Sequence, residues 1–512
     1  MDFLGLSLQN MISISFLFLI LLFLFFVWTK NKWHSLSMSE IALKQRIIIT
    51  ITLLITILIS VLPMSLSPYW TGSIKAFADK QQYDRMGDAL LQGRLYIDNG
   101  DIDPALEAME NPYDTKKRER LGVKYHWDEA YYNHHYYMYF GVVPTIILFI
   151  PFKLLTGTAL LSYQATQIFA AFTIIGLFYL FYLYCKNYFQ KFPFSLYLLF
   201  SSALSILSIS YSIAFPALYC TAIVSGICMM VWSIVCFFKS MQLKEESKCN
   251  LFLFLGAVLG ALAFGCRPPV ALANIVVFVV ISEILQTCLL ERKVKIEKIL
   301  LILVPYLVIG IMLMLYNYAR FDNVFEFGQS YQLTLADQHV YRNFWENFNA
   351  KKTIIASFLN FYLVPSFTDN FPFIRYCGVF FNYPILLLSV RIFSKSVSQV
   401  LQEKQLYSFS LLSLISTVVI TIFTVYWSPF LLERYHLDFY YVLCIVSFIA
   451  AAAWLESVNE KKKKLLIIFM VFLLFAVYMT SFLFFCIPVD GSYTVYYPEV
   501  LINIYKGLRF GL

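Results

Sequence analysis

Charged residues are scarce in this chain of 512 residues. Asp, Glu, Lys and Arg together make up 14% of it and hydrophobic residues make up 60%, whereas an average soluble domain has about 25% charged and about 45–50% apolar residues. A soluble fold could not bury that much apolar surface. The apolar runs are also continuous and about 20 residues long, which fits spanning helices and excludes a β-barrel. We therefore predict an all-α polytopic membrane protein.

Cysteine is missing from the largest polar segment. No Cys precedes Cys185, and the 10 Cys form no CxxC pair, which excludes a disulfide framework and gives no zinc-binding spacing. The net charge of +8 would suit nucleic acid, but the basic residues lie in short loops such as Lys461–Lys464. Short basic loops are typical of the cytoplasmic side of membrane proteins, so no nucleic acid is expected as a partner.

The amino terminus carries no sign of a cleavable signal. No Lys or Arg precedes Lys30, and the run 11–29 is too long for a signal-peptide core and lacks an A-x-A site. We interpret this run as an uncleaved spanning helix. Further apolar runs lie at residues 47–67, 138–156, 160–184, 194–213, 217–238, 250–266, 268–290, 299–317, 373–392, 407–428, 439–456 and 465–487, with a weaker run at 353–365.

Basic loops set the predicted orientation, because Lys and Arg are enriched in cytoplasmic loops. They lie at residues 30–46, 185–192, 239–248, 291–298, 391–404 and 457–464. Alternation then requires that one of the two runs before the loop at 185–192 does not cross. The run 138–156 contains Pro144, Pro151 and Lys153, which weaken a spanning helix. We predict a juxtamembrane or re-entrant helix there, on the outer side.

The resulting topology has about 12 spanning helices with both termini outside, and the weak run 353–365 does not cross. The alternative is that the loop with Lys186 and Lys191 lies outside instead. The predicted parts are an extra helix and cytoplasmic loop at 1–46, a membrane module at 47–317, a second external loop at 318–372 and carboxy-terminal spans at 373–512. The first external loop, 68–137, faces the same side as the second, which favours chemistry outside the membrane over transport.

The first external loop holds 12 acidic and 9 basic residues between positions 68 and 137, a balance that favours a folded loop over a charged tail. Residues 79–93 predict an amphipathic helix with Met86 and Ala89 on its apolar face and Gly93 as its stop. Asp79 and Asp84 are candidate general bases. For any single Asp in such a loop, however, solvation of the loop is the better interpretation.

Aromatic side chains crowd the segment Tyr125–Gly141, which has eight of them around Trp127, Asp128 and Glu129. One interpretation is an interfacial belt that leads into a membrane helix. The other is a platform for a sugar or a lipid headgroup, with the two acids as hydrogen-bond acceptors, and one element can serve both roles. Adjacent His134 and His135 cannot face one site on regular structure, so no metal site is expected there.

Three arginines lie at the predicted outer boundary. Arg267 separates two apolar runs, Arg320 opens the second external loop, and Arg434 sits in the cluster Glu433–Asp438. Arginine at a membrane boundary is costly unless it is paired or extends to the interface, and a phosphate would suit it as a partner. Glu433 is the nearest candidate to neutralise Arg434.

An external loop with Asp79-x-x-x-Tyr83, and with a glycine ten residues later, resembles the GT-C superfamily of integral-membrane glycosyltransferases. In protein O-mannosyltransferases and aminoarabinose transferases of that superfamily the motif is Asp-Glu-x-x-Tyr with Ala four residues after the Tyr. Lys80 replaces the Glu here and Gly87 replaces the Ala, which leaves Asp84 as a rival base. The resemblance covers residues 47–333 and extends loosely to Glu433-Arg434-Tyr435.

The resemblance implies an inverting transfer of a sugar from a polyprenyl-phosphate donor to a glycan, lipid or protein acceptor of the cell envelope. It implies an active site on the outer face of a bacterial inner membrane and requires no cofactor, although a divalent metal is compatible with it. It implies these roles: Asp79 or Asp84 as base; Arg267, Arg434 and Arg320 on the donor phosphate; Tyr83, Trp127, Asp128, Glu129, Glu433 and Tyr435 on the substrates.

Two other functions fit the same sequence. A lipid-linked sugar flippase or other transporter would have polar residues within its spans and inverted repeats. A polysaccharide polymerase or ligase would also work outside on lipid-linked glycans, with a longer glycan as its acceptor. Few polar span residues and no repeat are visible, which favours the transferase.

Overall fold

The computed structural model describes residues 38, 41–65, 81–97, 100, 102–216, 218–291, 296–334, 337–338, 358–359, 361–363, 365–367, 374–427 and 432–484. The expected first span at 11–29 and the candidate base Asp79 lie outside these residues. Nearly all regular structure in the described part is helical, which confirms the prediction of an all-α membrane protein.

The long helices follow the apolar runs of the sequence. They are α1 (Leu43–Val61), α6 (Ser162–Asn187), α7 (Phe194–Ala214), α8 (Leu218–Gln242), α9 (Glu246–Phe264), α11 (Val277–Glu291), α12 (Ile296–Phe321), α15 (Tyr407–Trp427), α16 (Leu437–Ser457) and α17 (Glu460–Phe484). Within the described residues, eight helices are long and apolar enough to cross a membrane, or nine if one bent pair counts as a span. The predicted count of 12 spans is thus not confirmed.

Shorter elements connect them. These are α2 (Gln82–Leu91), α3 (Pro104–Glu107), α4 (Thr115–Leu121), β1 (Ala130–Tyr132), β2 (His135–Tyr137), α5 (Ile150–Thr156), α10 (Pro268–Ala271), β3 (Pro365–Phe367), β4 (Ile374–Cys377), α13 (Val379–Asn382) and α14 (Lys395–Glu403). A π-helical turn, Thr145–Phe149, leads directly into α5. The joined helix Thr145–Thr156 is about 18 Å long, shorter than the roughly 30 Å of a hydrocarbon core.

Two predicted spans are not continuous helices. The run 268–290 begins with Pro268 and Pro269 in α10, continues as a 3-10 helix at Leu272–Val276 and only then enters α11. In the run 373–392, β4 and α13 precede a 3-10 helix at Pro384–Phe393, and the chain then bends by 74° into α14. The prolines stand in the first turn, where they are tolerated, and it is the 3-10 segments and the 74° bend that interrupt α-helical structure.

The helices differ widely in how far the protein itself surrounds them. The membrane windows of α8 and α16 are each 94% buried, whereas that of α12 is only 11% buried. Apolar side chains of α12 such as Leu307 and Met312 are correspondingly exposed. Because α12 is apolar on its exposed faces, those faces are suited to contact lipid, and α8 and α16 form the centre of the bundle.

The described residues of segment 68–137, called the first external loop after its predicted side, fold into a small unit. Its helix α2 buries Met86 and Ala89, and Gly93 follows with a left-handed φ of 72°, so the predicted amphipathic helix and its stop are confirmed. The aromatic run forms the antiparallel hairpin β1–β2, with Tyr132 opposite His135. Its turn, Asn133-His134, has positive φ at both residues, as two-residue hairpins require.

The second external loop pairs with this hairpin. An isolated bridge joins Ala130 to Gln332, and Leu333 exchanges backbone hydrogen bonds with Asp128 and Glu129, which flank the hairpin. The two external loops are therefore one structural unit above the ends of the helices.

Candidate functional site

A cavity of about 710 Å³ lies where the external unit meets the helices. Its wall comes mainly from five segments, at residues 139–142, 264–269, 313–320, 323–330 and 419–426. The first follows β2, the second joins α9 to α10, the third is the end of α12, the fourth opens the second external loop, and the fifth is the end of α15. The segment after the hairpin, the second external loop and three membrane helices thus meet at one cavity.

Two glycines allow the floor of the cavity to form. A side chain at Gly141 would overlap the carbonyl oxygen of Gly265, and one at Gly265 would overlap the side chain of Val143. The backbone N–H of Val143 donates to the Gly265 carbonyl at 3.0 Å. The segment after the hairpin therefore crosses directly over the end of α9, which is possible only because neither glycine carries a Cβ.

One side of the cavity is apolar and reaches the outer surface of the bundle. It is formed by Leu313 of α12 and by Val419, Ile422 and Phe423 of α15. Ile422 and Phe423 are also 41% and 39% exposed, on a helix apolar enough to span a membrane. The cavity thus extends to the lipid-facing surface, and this side can accept a hydrocarbon chain.

Arg320 lines the cavity with a buried guanidinium. Its side chain lies against the rings of Tyr316 and Phe321, at 3.9 and 4.6 Å from their centroids. Nη1 donates to the carbonyl of Met138 and Nη2 to the side-chain oxygen of Asn317, while Nε has no partner among the described residues. No described carboxylate forms an ion pair with Arg320, and the negative charge of Glu326, on the same wall, acts on it without a direct contact.

Arg267 also lines the cavity but is already neutralised. Its Nε and Nη2 each donate to one carboxylate oxygen of Asp438 at 2.9 Å, and Asp438 is fully buried at the start of α16. The pair is electrically neutral. Sequence reasoning assigned Arg267 to a donor phosphate, and it could still donate a hydrogen bond there, but it brings no net charge to the cavity.

Arg434 stands behind this pair and does not line the cavity. Its guanidinium lies 4.0 Å from the Tyr219 ring centroid and 5.4 Å from that of Tyr435. Tyr435 is itself buried and also within 5.7 Å of Arg267. Glu433 belongs to the 3-10 turn Glu433–His436. The described contacts of Arg434 and Tyr435 are those of packed side chains, not of groups that contact a ligand in the cavity.

The candidate base Asp84 is engaged elsewhere. Lys153 donates to Asp84 at 3.0 Å and to Asp88 at 2.6 Å, which joins α2 to α5. Burial alone would lower the pKa of Lys153, but the bonds to Asp88 and Asp84 raise it above its ordinary value. Asp84 does not line the cavity. The expectation that this carboxylate faces a reacting group is therefore not met, and Asp79 remains the candidate that the sequence provides.

The neighbouring Tyr83 is fully buried in the external unit. Its ring stacks between Phe140 and Phe149, at centroid distances of 6.1 and 5.1 Å. Burial raises the pKa of Tyr83 well above its usual range, so its hydroxyl stays protonated. The expected substrate contact of Tyr83 is replaced by a core position.

Two further expected substrate residues, Asp128 and Glu129, hold the external unit together. Glu129 forms an ion pair with Arg85 at 2.6 Å. Asp128 accepts a hydrogen bond from the side-chain amide of Gln332 at 2.7 Å, and the backbone of Asp128 has a φ of 61°. Trp127 is half-buried in the preceding turn. None of the three lines the cavity, because the hairpin directs Asp128 and Glu129 towards the second external loop and α2.

Several cavity residues beside Arg320 were given no role from the sequence. Tyr316, Asn317, Glu326 and Gln329 all line the wall beside Arg320. Glu326 accepts from the backbone N–H and the hydroxyl of Ser330, and thereby holds its own loop. Their sequence signal was proximity to Arg320 at the end of a span, and for Glu326 also its place in the stretch Arg320–Gly328 that resembles the GT-C superfamily.

Tyr139 adds a hydroxyl to the polar end of the cavity. Burial raises the pKa of Tyr139 well above its usual range. The nearby negative charge of Asp128 is the second cause and acts in the same direction. The hydroxyl thus remains a hydrogen-bond donor at neutral pH and cannot act as a base. In the described part of the chain, no three His, Cys, Asp or Glu side chains cluster closely enough to hold a metal ion.

No family model, no curated protein and no solved structure matches this chain. The resemblance to the GT-C superfamily thus rests on the sequence motifs described above.

Proposed function

We propose that the protein is a membrane glycosyltransferase that moves a sugar from a polyprenyl-phosphate donor to a cell-envelope acceptor. The observation that carries the proposal is Arg320, a buried cation without a carboxylate in contact, on the wall of a cavity that opens between α12 and α15. A buried cation without a carboxylate in contact is costly, and an anionic ligand that contacts Arg320 would lower this cost. A lipid-linked phosphate supplies that anion together with the hydrocarbon chain that the apolar side accepts.

The chemistry follows from this placement. The acceptor hydroxyl oxygen attacks the anomeric carbon, the bond from that carbon to the phosphate oxygen breaks, and the electron pair leaves with the polyprenyl phosphate. Arg320 stabilises the charge that develops on the leaving phosphate. Asp79 takes the proton of the acceptor hydroxyl. Attack from the side opposite the phosphate inverts the configuration of the sugar carbon.

The membrane setting supports a lipid-borne donor. Nucleotide sugars are water-soluble anions that stay on the cytoplasmic side, whereas a donor with a prenyl chain can enter a cavity from within the membrane. We place the cavity on the outer face of a bacterial inner membrane, since the basic loops of the chain lie at the other ends of the helices.

The test is the binding of decaprenyl phosphate to the full chain in lipid nanodiscs. Arg320→Gln should weaken binding by roughly 10–100-fold, because a hydrogen bond to a charged group contributes about 1.5–3 kcal/mol. Arg118→Gln is the matched control. Arg118 is also buried, lies 4.3 Å from an aromatic ring centroid and donates to a backbone carbonyl, but it is outside the cavity.

Two results would contradict the proposal. One is wild-type protein that does not bind the lipid, and the other is an equal loss of binding in both variants. Movement of a labelled lipid-linked sugar across the membrane, with no transfer to any envelope acceptor, would support the flippase instead.

A further inference from the structure

The helix α12 contributes one continuous strip of side chains to the cavity wall. Its lining residues recur at positions i, i+3, i+4 and i+7, and they are Leu313, Tyr316, Asn317 and Arg320. This spacing places all of them on a single helix face over two turns. The side chain of Leu313 reaches the cavity floor, because its Cδ2 is 3.1 Å from where a Cβ on Gly265 would lie.

The helix α15 contributes a strip with the same spacing. Its lining residues are Val419, Ile422, Phe423 and Tyr426. Both helices have their carboxy-terminal ends at the cavity, α12 at Phe321 and α15 at Trp427. The cavity therefore continues along two helix faces, from the helix ends towards their middles. We call this part of the cavity the cleft.

The cleft is polar at the helix ends and apolar further in. Arg320 and Tyr426 are the lining residues nearest to the ends of their helices, and Leu313 and Val419 are the farthest from them. A lipid with an anionic head and a hydrocarbon chain has the same order of groups. With its phosphate at Arg320, such a lipid would place the start of its chain between Leu313 and Val419.

The depth of the cleft limits how much of a chain it can enclose. Leu313 and Arg320 are seven residues apart, which corresponds to about 10 Å along a helix. That is about one third of the roughly 30 Å hydrocarbon core of a bilayer. A cleft of about 10 Å has room for about two extended isoprene units. The rest of a long polyprenyl chain must then lie in the bilayer.

Isoprene units outside the cleft should add nothing to the affinity. A chain that passes from the bilayer into an apolar cleft exchanges one hydrocarbon surrounding for another, so no water is released. Closer packing is the remaining source of affinity, and it is available only where side chains surround the chain. Recognition of the chain is therefore confined to the units next to the phosphate.

From these observations we infer that the cleft recognises the donor by its phosphate and by about its first two isoprene units. The substrate class is then polyprenyl phosphates of any length from about two units upwards. This inference rests on the proposed function, because it names the part of the same donor that the protein binds.

The test measures binding of four phosphates to the full chain in phosphatidylcholine nanodiscs. The dimethylallyl, geranyl, farnesyl and decaprenyl phosphates carry one, two, three and ten isoprene units. Each affinity is expressed per mole fraction in the bilayer, which partition into empty nanodiscs provides. Affinity should rise roughly 3–10-fold from the dimethylallyl to the geranyl compound, as packing inside membranes allows. From geranyl to decaprenyl phosphate it should change by less than about twofold.

Leu313→Trp tests the inner end of the cleft, because the larger side chain fills it. This variant should bind geranyl, farnesyl and decaprenyl phosphate about tenfold more weakly. It should bind dimethylallyl phosphate as the parent protein does, which also shows that the variant is folded. Leu307→Trp is the matched control. Leu307 lies on the same helix, is 62% exposed and does not line the cavity, so this variant should bind all four phosphates normally.

The outcomes separate this inference from the proposed function. An affinity that keeps rising from geranyl to decaprenyl phosphate, or that is equal for all four compounds, overturns the inference and leaves the phosphate site standing. Equal losses in Leu313→Trp and Leu307→Trp overturn the assignment of the chain to the cleft. Arg320→Gln should weaken all four phosphates alike and keep their order. Failure of the parent protein to bind any of them overturns the proposed function, and the inference with it.

Discussion

Arg267 and Asp438 are joined by two parallel hydrogen bonds of 2.9 Å although they lie 171 positions apart in the sequence. The pair ties the loop between α9 and α10 to the first turn of the central helix α16. Both side chains are buried, so each depends on the other for its counter-charge. Removal of one partner leaves a buried, uncompensated ion, which usually costs about 3–5 kcal/mol.

We therefore expect Asp438→Ala to unfold at a markedly lower temperature than the parent protein. Arg267→Leu should have a similar effect, and the double variant should recover most of the loss because it leaves no unpaired charge. Thermal unfolding of the purified chain in detergent measures all three. A double variant less stable than either single variant would show that the pair contributes more than mutual neutralisation.

A second prediction separates the two candidate bases. Asp79→Asn should reduce sugar transfer by about 10²–10⁴-fold and leave expression and lipid binding unchanged, as expected for the loss of a general base. Asp84→Asn should retain most of the transfer and lower the unfolding temperature, because Asp84 shares Lys153 with Asp88. Transfer assays on both variants decide this. Loss of transfer in Asp84→Asn alone would move the base to Asp84.

The sequence predicted the membrane class and the long helices well because apolar length and basic loops are local signals. α6, α7 and α8 lie within a few residues of their predicted bounds. Breaks inside apolar runs were less visible. Pro268 and Pro384 begin their helices, and the 3-10 segments Leu272–Val276 and Pro384–Phe393 leave no mark in hydropathy.

The cavity was harder to predict because its residues come from distant segments. Arg267 and Arg320 were identified individually, since a charge at a membrane boundary is conspicuous. Their counter-charges, however, depend on tertiary contacts. Asp438 neutralises Arg267, whereas no described carboxylate is in contact with Arg320. Asp128 and Glu129 illustrate the opposite error, because acids beside aromatic residues suggested a binding platform but serve to join two loops.

A third prediction concerns the crossing of the two chain segments beneath the cavity. Gly141→Ala should prevent correct folding, because the added Cβ would overlap the backbone of Gly265 and Cys266.

Gly310→Ala is the matched control. It lies inside α12, and no atom is within 4 Å of the added Cβ. The control should be tolerated or gain roughly 0.5–1 kcal/mol, since Ala favours a helix over Gly. Yield of monodisperse protein and its unfolding temperature report on both. A well-folded Gly141→Ala variant would mean that the two segments can separate.

The last prediction is a pH dependence in the external unit. Asp103 accepts hydrogen bonds from the backbone N–H groups of Lys124 at 2.7 Å and of Ala105 at 2.9 Å. These bonds, first that of Lys124 and then that of Ala105, lower the pKa of Asp103 in the folded state. A carboxyl whose folded pKa is depressed stabilises the fold at pH values above its unfolded pKa of about 3.9, and this contribution is lost as the pH falls through the lower folded value.

Asp103→Asn removes the titration but keeps an acceptor oxygen. The unfolding temperature of the parent protein should therefore fall more steeply than that of Asp103→Asn when the pH is lowered from about 5 to about 3. Parallel curves for the two proteins would show that Asp103 has the same proton affinity in the folded and unfolded chain.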